Sequence, residues 1–142
     1  MIRTEAEYKR ALREKDEQAK RLKAHRKKLV EAGLSREELK RAMEPLISFH
    51  QQLVEELQIY ESLKSGNLGE VSKLDGMGQQ LVGLRIALGL SQRELAEKLG
   101  VHESQVSRDE RNEYHGITLE RANRILEALG VRLKTSYASI SA

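Results

Sequence analysis

Ser104, Arg108 and Arg111 stand four and three residues apart. At about 100° per residue, a helix would carry this hydroxyl and these two guanidinium groups on one side. Glu103, Gln105 and Ser107 flank that side, and Val106 falls opposite as its buried anchor. Such a row can donate and accept hydrogen bonds. Arg pairs bidentately with guanine, and short hydroxyls bond several base edges. A polar face on a short, rigidly held helix is what reading the DNA major groove requires.

Other chemistry is thinly represented. Cysteine is absent, so neither a disulfide framework nor a thiolate metal site can form. His25, His50, His102 and His115 are scattered without metal-ligand spacing. His50 has apolar Leu46 and Val54 one turn to either side, which reads as a hydrogen-bonded packing residue. No glycine loop would cradle phosphate, and no Ser-His-Asp set is present. An enzyme is therefore the least supported class. No cofactor, metal or catalytic residue is expected.

The 142 residues fit one ordinary domain or two small ones. Aromatic content is 4% and Trp is absent, so a core must come mainly from Leu, Ile, Val and Ala. With one Pro and 33% charged residues, the composition suits an all-α chain with coiled-coil character. The net charge is only +3, and 15 of the 25 Lys and Arg but only 12 of the 22 Asp and Glu precede residue 67. The basic cluster Lys20, Arg21, Lys23, Arg26, Lys27 and Lys28 reads as a solvated helix face before it reads as a phosphate contact. DNA binding must rest on the motif rather than on bulk charge. No apolar run approaches the length of a membrane span, and residues 1–20 are charged throughout, so no membrane contact and a cytoplasmic protein are expected.

The elements that must hold the row follow from capping and periodicity. Thr4 and Glu7 form a capping-box pattern, which starts a helix that Gly33 ends near Ala32. Ser35 and Glu38 form a second box. Behind it Leu39, Met43, Leu46, His50, Leu53, Leu57 and Tyr60 make a heptad-like seam up to Gly66, with a kink or break expected at Pro45. Residues 1–66 thus read as an antiparallel helical hairpin with arms of about 40 Å. The first arm offers only a broken stripe, so a second copy is expected to cover the seam. Glycines across residues 67–77 mark a linker, with one helical turn near Ser72. Met77, Leu81, Leu84 and Leu88 then read as one helix face. Ser91 and Glu94 form a third capping box, Leu95, Ala96 and Leu99 an inner face, and Gly100 a turn. After Gly130, the alternation from Val131 to Tyr137 is a short-strand signal, with a loose tail over 132–142 as the alternative.

Ser91-Gln92, Leu95-Ala96, Leu99-Gly100-Val101, Val106-Ser107 and Glu110 together resemble the signature of the Xre/Cro-type helix-turn-helix family, over about 78–131. The resemblance implies an all-α bundle that binds double-stranded DNA. It implies a phosphate contact for Gln92 and base reading for Glu103, Ser104 and Arg108. It also implies an internal ion pair between Arg85 and Glu110, and a fourth helix capped by Thr118 with Leu119, Ala122, Ile125, Leu126 and Leu129 on its face. Two departures stand out. Asp109 occupies a position the family usually fills with an apolar residue, and the loop from Arg111 to Ile117 is longer than usual. That loop could bring Arg111, Asn112 or Tyr114 to a phosphate.

Three functions compete. The first is a dimeric transcriptional repressor or autoregulator. The second is an antitoxin of a type II toxin–antitoxin pair, which would bind a small toxin protein and repress the shared operon. Tyr8, Ala11-Leu12 and Tyr60-Glu61 are similar to the N-terminal region of HigA-like antitoxins. The third is a coiled-coil scaffold whose C-terminal domain no longer binds DNA. A co-purifying small partner separates the first two, and a gel shift on the upstream DNA separates both from the third.

Overall fold

A computed structural model describes residues 1–141. The chain is all-helical and divides into two compact units, Met1–Ser62 and a second that begins at Leu63.

The first unit holds α1 (Glu5–Glu31) and most of α2 (Arg36–Lys64). Both start at capping boxes. Thr4 Oγ1 accepts the Glu7 amide at 3.2 Å, and Ser35 Oγ accepts the Glu38 amide at 3.3 Å. The two glutamates reach back to the capping residues' own amides at 3.2 and 2.8 Å. Each box satisfies donors that a helix start would leave bare. The helices run antiparallel. Tyr8 stacks on Tyr60 with ring centroids 5.0 Å apart, and farther along α1 Gln18 Oε1 lies 3.2 Å from His50 Nδ1. His50 is thus a packing residue of the hairpin. Ala11, Met43, Leu57 and Tyr60 are buried.

Two expectations are corrected here. Of the kink or break expected at Pro45, the break does not occur, and α2 is continuous through it. Proline removes one backbone donor, yet the helix runs unbroken from Arg36 to Lys64. The seam is also not left bare within one chain. Met43, Leu57 and Tyr60 are buried, Leu39, His50 and Leu53 are half-buried, and Leu46 is exposed.

The second unit contains a single 3-10 turn (Leu74–Gly76), α3 (Met77–Ala87), α4 (Gln92–Leu99), α5 (Glu103–Arg111) and α6 (Leu119–Leu129). Its core is Leu81, Val82 and Ile86 of α3, Leu95 and Ala96 of α4, Val106 of α5, and Ala122, Ile125, Leu126 and Leu129 of α6. The α3 face differs from the expected one. Gly78, Leu81, Val82, Arg85 and Ile86 are inside, whereas Leu88 is exposed. A stripe drawn through apolar residues alone passes over the buried arginine. Leu119 is exposed as well. It opens the helix one turn ahead of Ala122, beyond the edge of the core. Residues 131–141 form no strand, so the alternation after Gly130 does not become a ladder in this chain.

α4 joins α5 through Gly100, whose φ of +69° is the left-handed conformation that side chains resist. The Val101 amide reaches back to the Ala96 carbonyl at 3.0 Å and closes the helix end. At the start of α4, Ser91 and Glu94 make the expected box. Hydrogen bonds from the Ser91 backbone and side chain hold the Glu94 carboxyl below the usual range. The stretch read as a linker has ties to α3. The Leu68 carbonyl accepts Gln80 Nε2 at 2.9 Å, and the Leu68 side chain lies over Gly83.

The two α3 glycines separate two kinds of tightness. A Cβ at Gly78 would stand 1.9 Å from the Glu113 carbonyl oxygen, which is backbone. A Cβ at Gly83 would meet the methyl ends of Leu68 and Leu63 at 2.7 and 3.0 Å. Gly78→Ala should therefore lower unfolding free energy by about 1–3 kcal/mol or more. Gly83→Ala should cost clearly less, because side-chain ends can turn and alanine favours the helix by about 1 kcal/mol. Urea melts of the two variants check the order, and a larger loss at Gly83 would contradict this account.

Candidate nucleic-acid interface

Glu110, with no solvent exposure, is the centre on which the second unit's helices meet. Arg85 Nε donates to its Oε1 at 2.5 Å and Nη2 to its Oε2 at 2.6 Å, a bidentate fork. Arg85 Nη1 donates to the Leu90 carbonyl at 2.8 Å, in the turn that leaves α3. Gln92 Nε2 donates to Glu110 Oε2 at 2.7 Å from the first position of α4. One carboxylate thus ties α3, the following turn, α4 and α5 together. The Arg85–Glu110 pair implied by the resemblance is present.

Gln92 is placed differently from the expectation. It was read as a phosphate contact, yet its side chain is 9% exposed and its amide is turned inward to Glu110. The physical reason is the second lone pair on Glu110 Oε2. A buried carboxylate oxygen with an empty acceptor site is costly, and the Gln92 amide fills it.

The remaining expected residues share α5 and its end. Glu103, Ser104, Gln105, Arg108, Arg111 and Asn112 are exposed, and Ser107 is half-buried. Val106 and Glu110 are buried on the other side. Ser104, Arg108 and Arg111 therefore line one outward face, and Asn112 caps the helix C-terminus.

Asp109, the departure from the usual apolar residue, is half-buried and pairs with Arg121 Nη2 of α6 at 2.8 Å. An exposed ion pair replaces an apolar contact there. Tyr114, read as a possible phosphate contact, is corrected. Its ring is 5% exposed and packs inward, and burial, followed by the Glu110 and Asp109 charges, pushes its phenol well above the usual range. Glu113 and Tyr114 both hold φ near +50°, at 51° and 52°. Two consecutive non-glycine residues in that region are strained. Burial of the Tyr114 ring, its amide bond to the Asp109 carbonyl at 2.8 Å and a 3.1 Å bond from Gln79 Nε2 to Glu113 Oε2 hold the turn.

Three features were missed in the sequence. Gln92 as third member of the Glu110 network carries no local signal. The Asp109–Arg121 pair could have been found by asking which cation on the next helix answers a misplaced acid. His102 is the N-cap of α5, with its Nδ1 accepting the Ser104 amide at 3.2 Å. Its place directly before a helix start was the available clue.

Among the described residues, no cluster of three or more His, Cys, Asp or Glu could hold a metal ion, and no helix is long and apolar enough to cross a membrane. Residues 83–135 match the family model described as Helix-turn-helix. No curated protein and no solved structure matches the chain.

Removing one partner of a buried pair strands the other charge, so Glu110→Ala should cost about 3–5 kcal/mol. The double variant Arg85→Leu with Glu110→Leu should recover much of that loss, since no charge is left stranded. Asp109→Ala removes only a partly exposed pair and should cost about 1 kcal/mol or less. Denaturant melts rank the three, and equal losses at Asp109 and Glu110 would show that burial does not set the scale.

Proposed function

With residues 83–135 forming a helix-turn-helix domain of the Xre/Cro type, that of a DNA-binding transcription regulator, we propose that the chain is a sequence-specific repressor or autoregulator that reads double-stranded DNA as a homodimer. The observation that carries this is α5 itself. Its exposed side is polar and contains Arg108 and Arg111, while its inner side is fixed by Val106 and the Glu110 network. A reading helix must be immobile on one side and solvent-exposed on the other, because orientational freedom would have to be lost on every binding event.

The roles divide by chemistry. Arg108 is the base reader for guanine, through the O6 and N7 edge. Glu103 and Ser104 sit at the helix N-terminus, where shorter side chains approach bases closely. Arg111 and Asn112 lie where the helix leaves the groove and suit backbone phosphate, as do Gln105 and Ser107 on the flanks. A protein seated on promoter DNA excludes polymerase without any further contact, which favours repression.

A single helix-turn-helix contacts few bases, and two-fold dimers on half-sites about 34 Å apart are the usual solution. The hairpin supplies a surface for pairing. A groove of about 970 Å³ runs along it, with Leu22, Leu46 and Phe49 among its lining. Phe49 is 62% exposed and Leu46 43%. The alternative occupant is a small toxin protein. The residues that carry the antitoxin resemblance do not favour it, because Tyr8, Tyr60 and Glu61 are engaged within the hairpin. Tyr8 stacks on Tyr60, and its hydroxyl donates to Glu61 at 2.7 Å.

Selection of bound sites from random DNA should return a palindromic or near-palindromic sequence. Arg108→Ala should then lose about 1–3 kcal/mol at one base-pair position per half-site and relax the preference there. A loss spread evenly over all positions would make Arg108 a phosphate contact instead. Phe49→Glu should turn a dimer into a monomer in light scattering and weaken operator binding most at low protein concentration, because a charge opposes burial. A dimer that survives this change would place the interface elsewhere and free the groove for another protein.

A further inference from the structure

A neutral histidine carries its ring proton on one nitrogen only, and its neighbours decide which. At His102 both the backbone amide and the hydroxyl of Ser104 lie against the ring. The Ser104 backbone amide can only donate, and it points at Nδ1 from 3.2 Å. Nδ1 is therefore the bare nitrogen, and the proton sits on Nε2. The same Nδ1 lies 2.8 Å from Ser104 Oγ. With Nδ1 accepting, the Ser104 hydroxyl is placed to give its proton to the same ring nitrogen. What Oγ then presents outward is lone pairs.

We propose that His102 fixes Ser104 as a hydrogen-bond acceptor on the reading face, so that α5 selects, at one strand position of each half-site, a base with an exocyclic amino group: adenine through N6 or cytosine through N4. A serine hydroxyl with a free rotor accepts any of the four bases, since it can donate to guanine O6 or thymine O4 as readily as it accepts. Held by His102 it loses that choice. Glu103, exposed beside it, is also an acceptor, and carboxylates take cytosine N4. The N-terminal end of the helix thus presents acceptors, and Arg108, one turn on, presents donors. The reading face has a polarity along its axis, and His102 is a positioning residue for it rather than a DNA contact. This rests on the DNA reading proposed above.

The test is selection from random DNA with the full chain and three variants. The unaltered protein should show, beside the guanine read by Arg108, one position where adenine or cytosine exceeds guanine or thymine. Ser104→Ala should abolish that preference and leave the other positions as they were. His102→Ala frees the hydroxyl, so the preference should shrink roughly three- to tenfold at that position alone, the size of one net hydrogen bond. His102→Asn keeps a side-chain acceptor at the N-cap and should retain the preference. Circular dichroism melts establish that each variant is folded at the assay temperature. If Ser104→Ala flattens a guanine or thymine position, or none, the acceptor assignment is wrong. If His102→Ala weakens all positions equally, His102 is a helix cap without a part in specificity, and the proposal falls. If the unaltered protein enriches no sequence, the DNA reading itself fails and takes the proposal with it.

Discussion

A carboxylate with no access to water is costly unless both of its oxygens find donors and its charge finds a partner, and Glu110 is the residue on which this constraint falls. Its demands set the geometry of the second unit. The guanidinium fork of Arg85 fixes the roll of α3 against α5. The third Arg85 bond, to the Leu90 carbonyl, fixes where the chain turns. The Gln92 amide then fixes the first residue of α4. Apolar contacts among Leu81, Leu95, Val106 and Ile125 would tolerate small slides of one helix over another. Directional bonds to one buried group do not.

That arrangement leaves α5 with one locked side and one open side. Because Glu110 and Val106 face inward, the helical period sends Ser104, Arg108 and Arg111 outward. The edges of α5 are finished by polar rather than apolar means. Asp109 meets Arg121 on one flank, and His102 closes the N-terminus. At the far end, the strained Glu113–Tyr114 turn is held because the Tyr114 ring is buried. The turn also sets the Glu113 carbonyl against Gly78, so the start of α3 and the exit of α5 share one tight contact. Strain, burial and a missing side chain are parts of the same joint.

The hairpin is built on a different principle. Its helices are capped at their starts by side-chain boxes and joined by stacked tyrosines and a Gln18–His50 contact. Few of its residues are buried, and large apolar side chains such as Phe49 and Ile59 remain in water. A two-helix unit cannot enclose a core by itself, because each helix has only one neighbour to bury against. The interaction role proposed for this unit rests on that shortfall, as the reading role proposed for α5 rests on its rigidity.

Capping and local turn chemistry were legible in the sequence, because each depends on residues a few positions apart. The boxes at Thr4, Ser35 and Ser91 and the left-handed turn at Gly100 all stand where their residue types required them. The polar row on α5 was legible for the same reason, since its spacing is helical. The Arg85–Glu110 pair came from the family resemblance, because no local rule joins residues 25 apart. What tertiary structure alone decided was which polar groups are interior. Apolar periodicity put Leu88 inside and could not assign Arg85 to the core, whereas packing reversed both, because a buried acid on another helix made the arginine's burial favourable. Gln92 and Tyr114 carry groups that suit a DNA surface, and the fold turns both inward. A sequence gives a side chain's chemistry, but whether it faces water or a partner depends on what lies across the core, and that neighbour is distant in the chain.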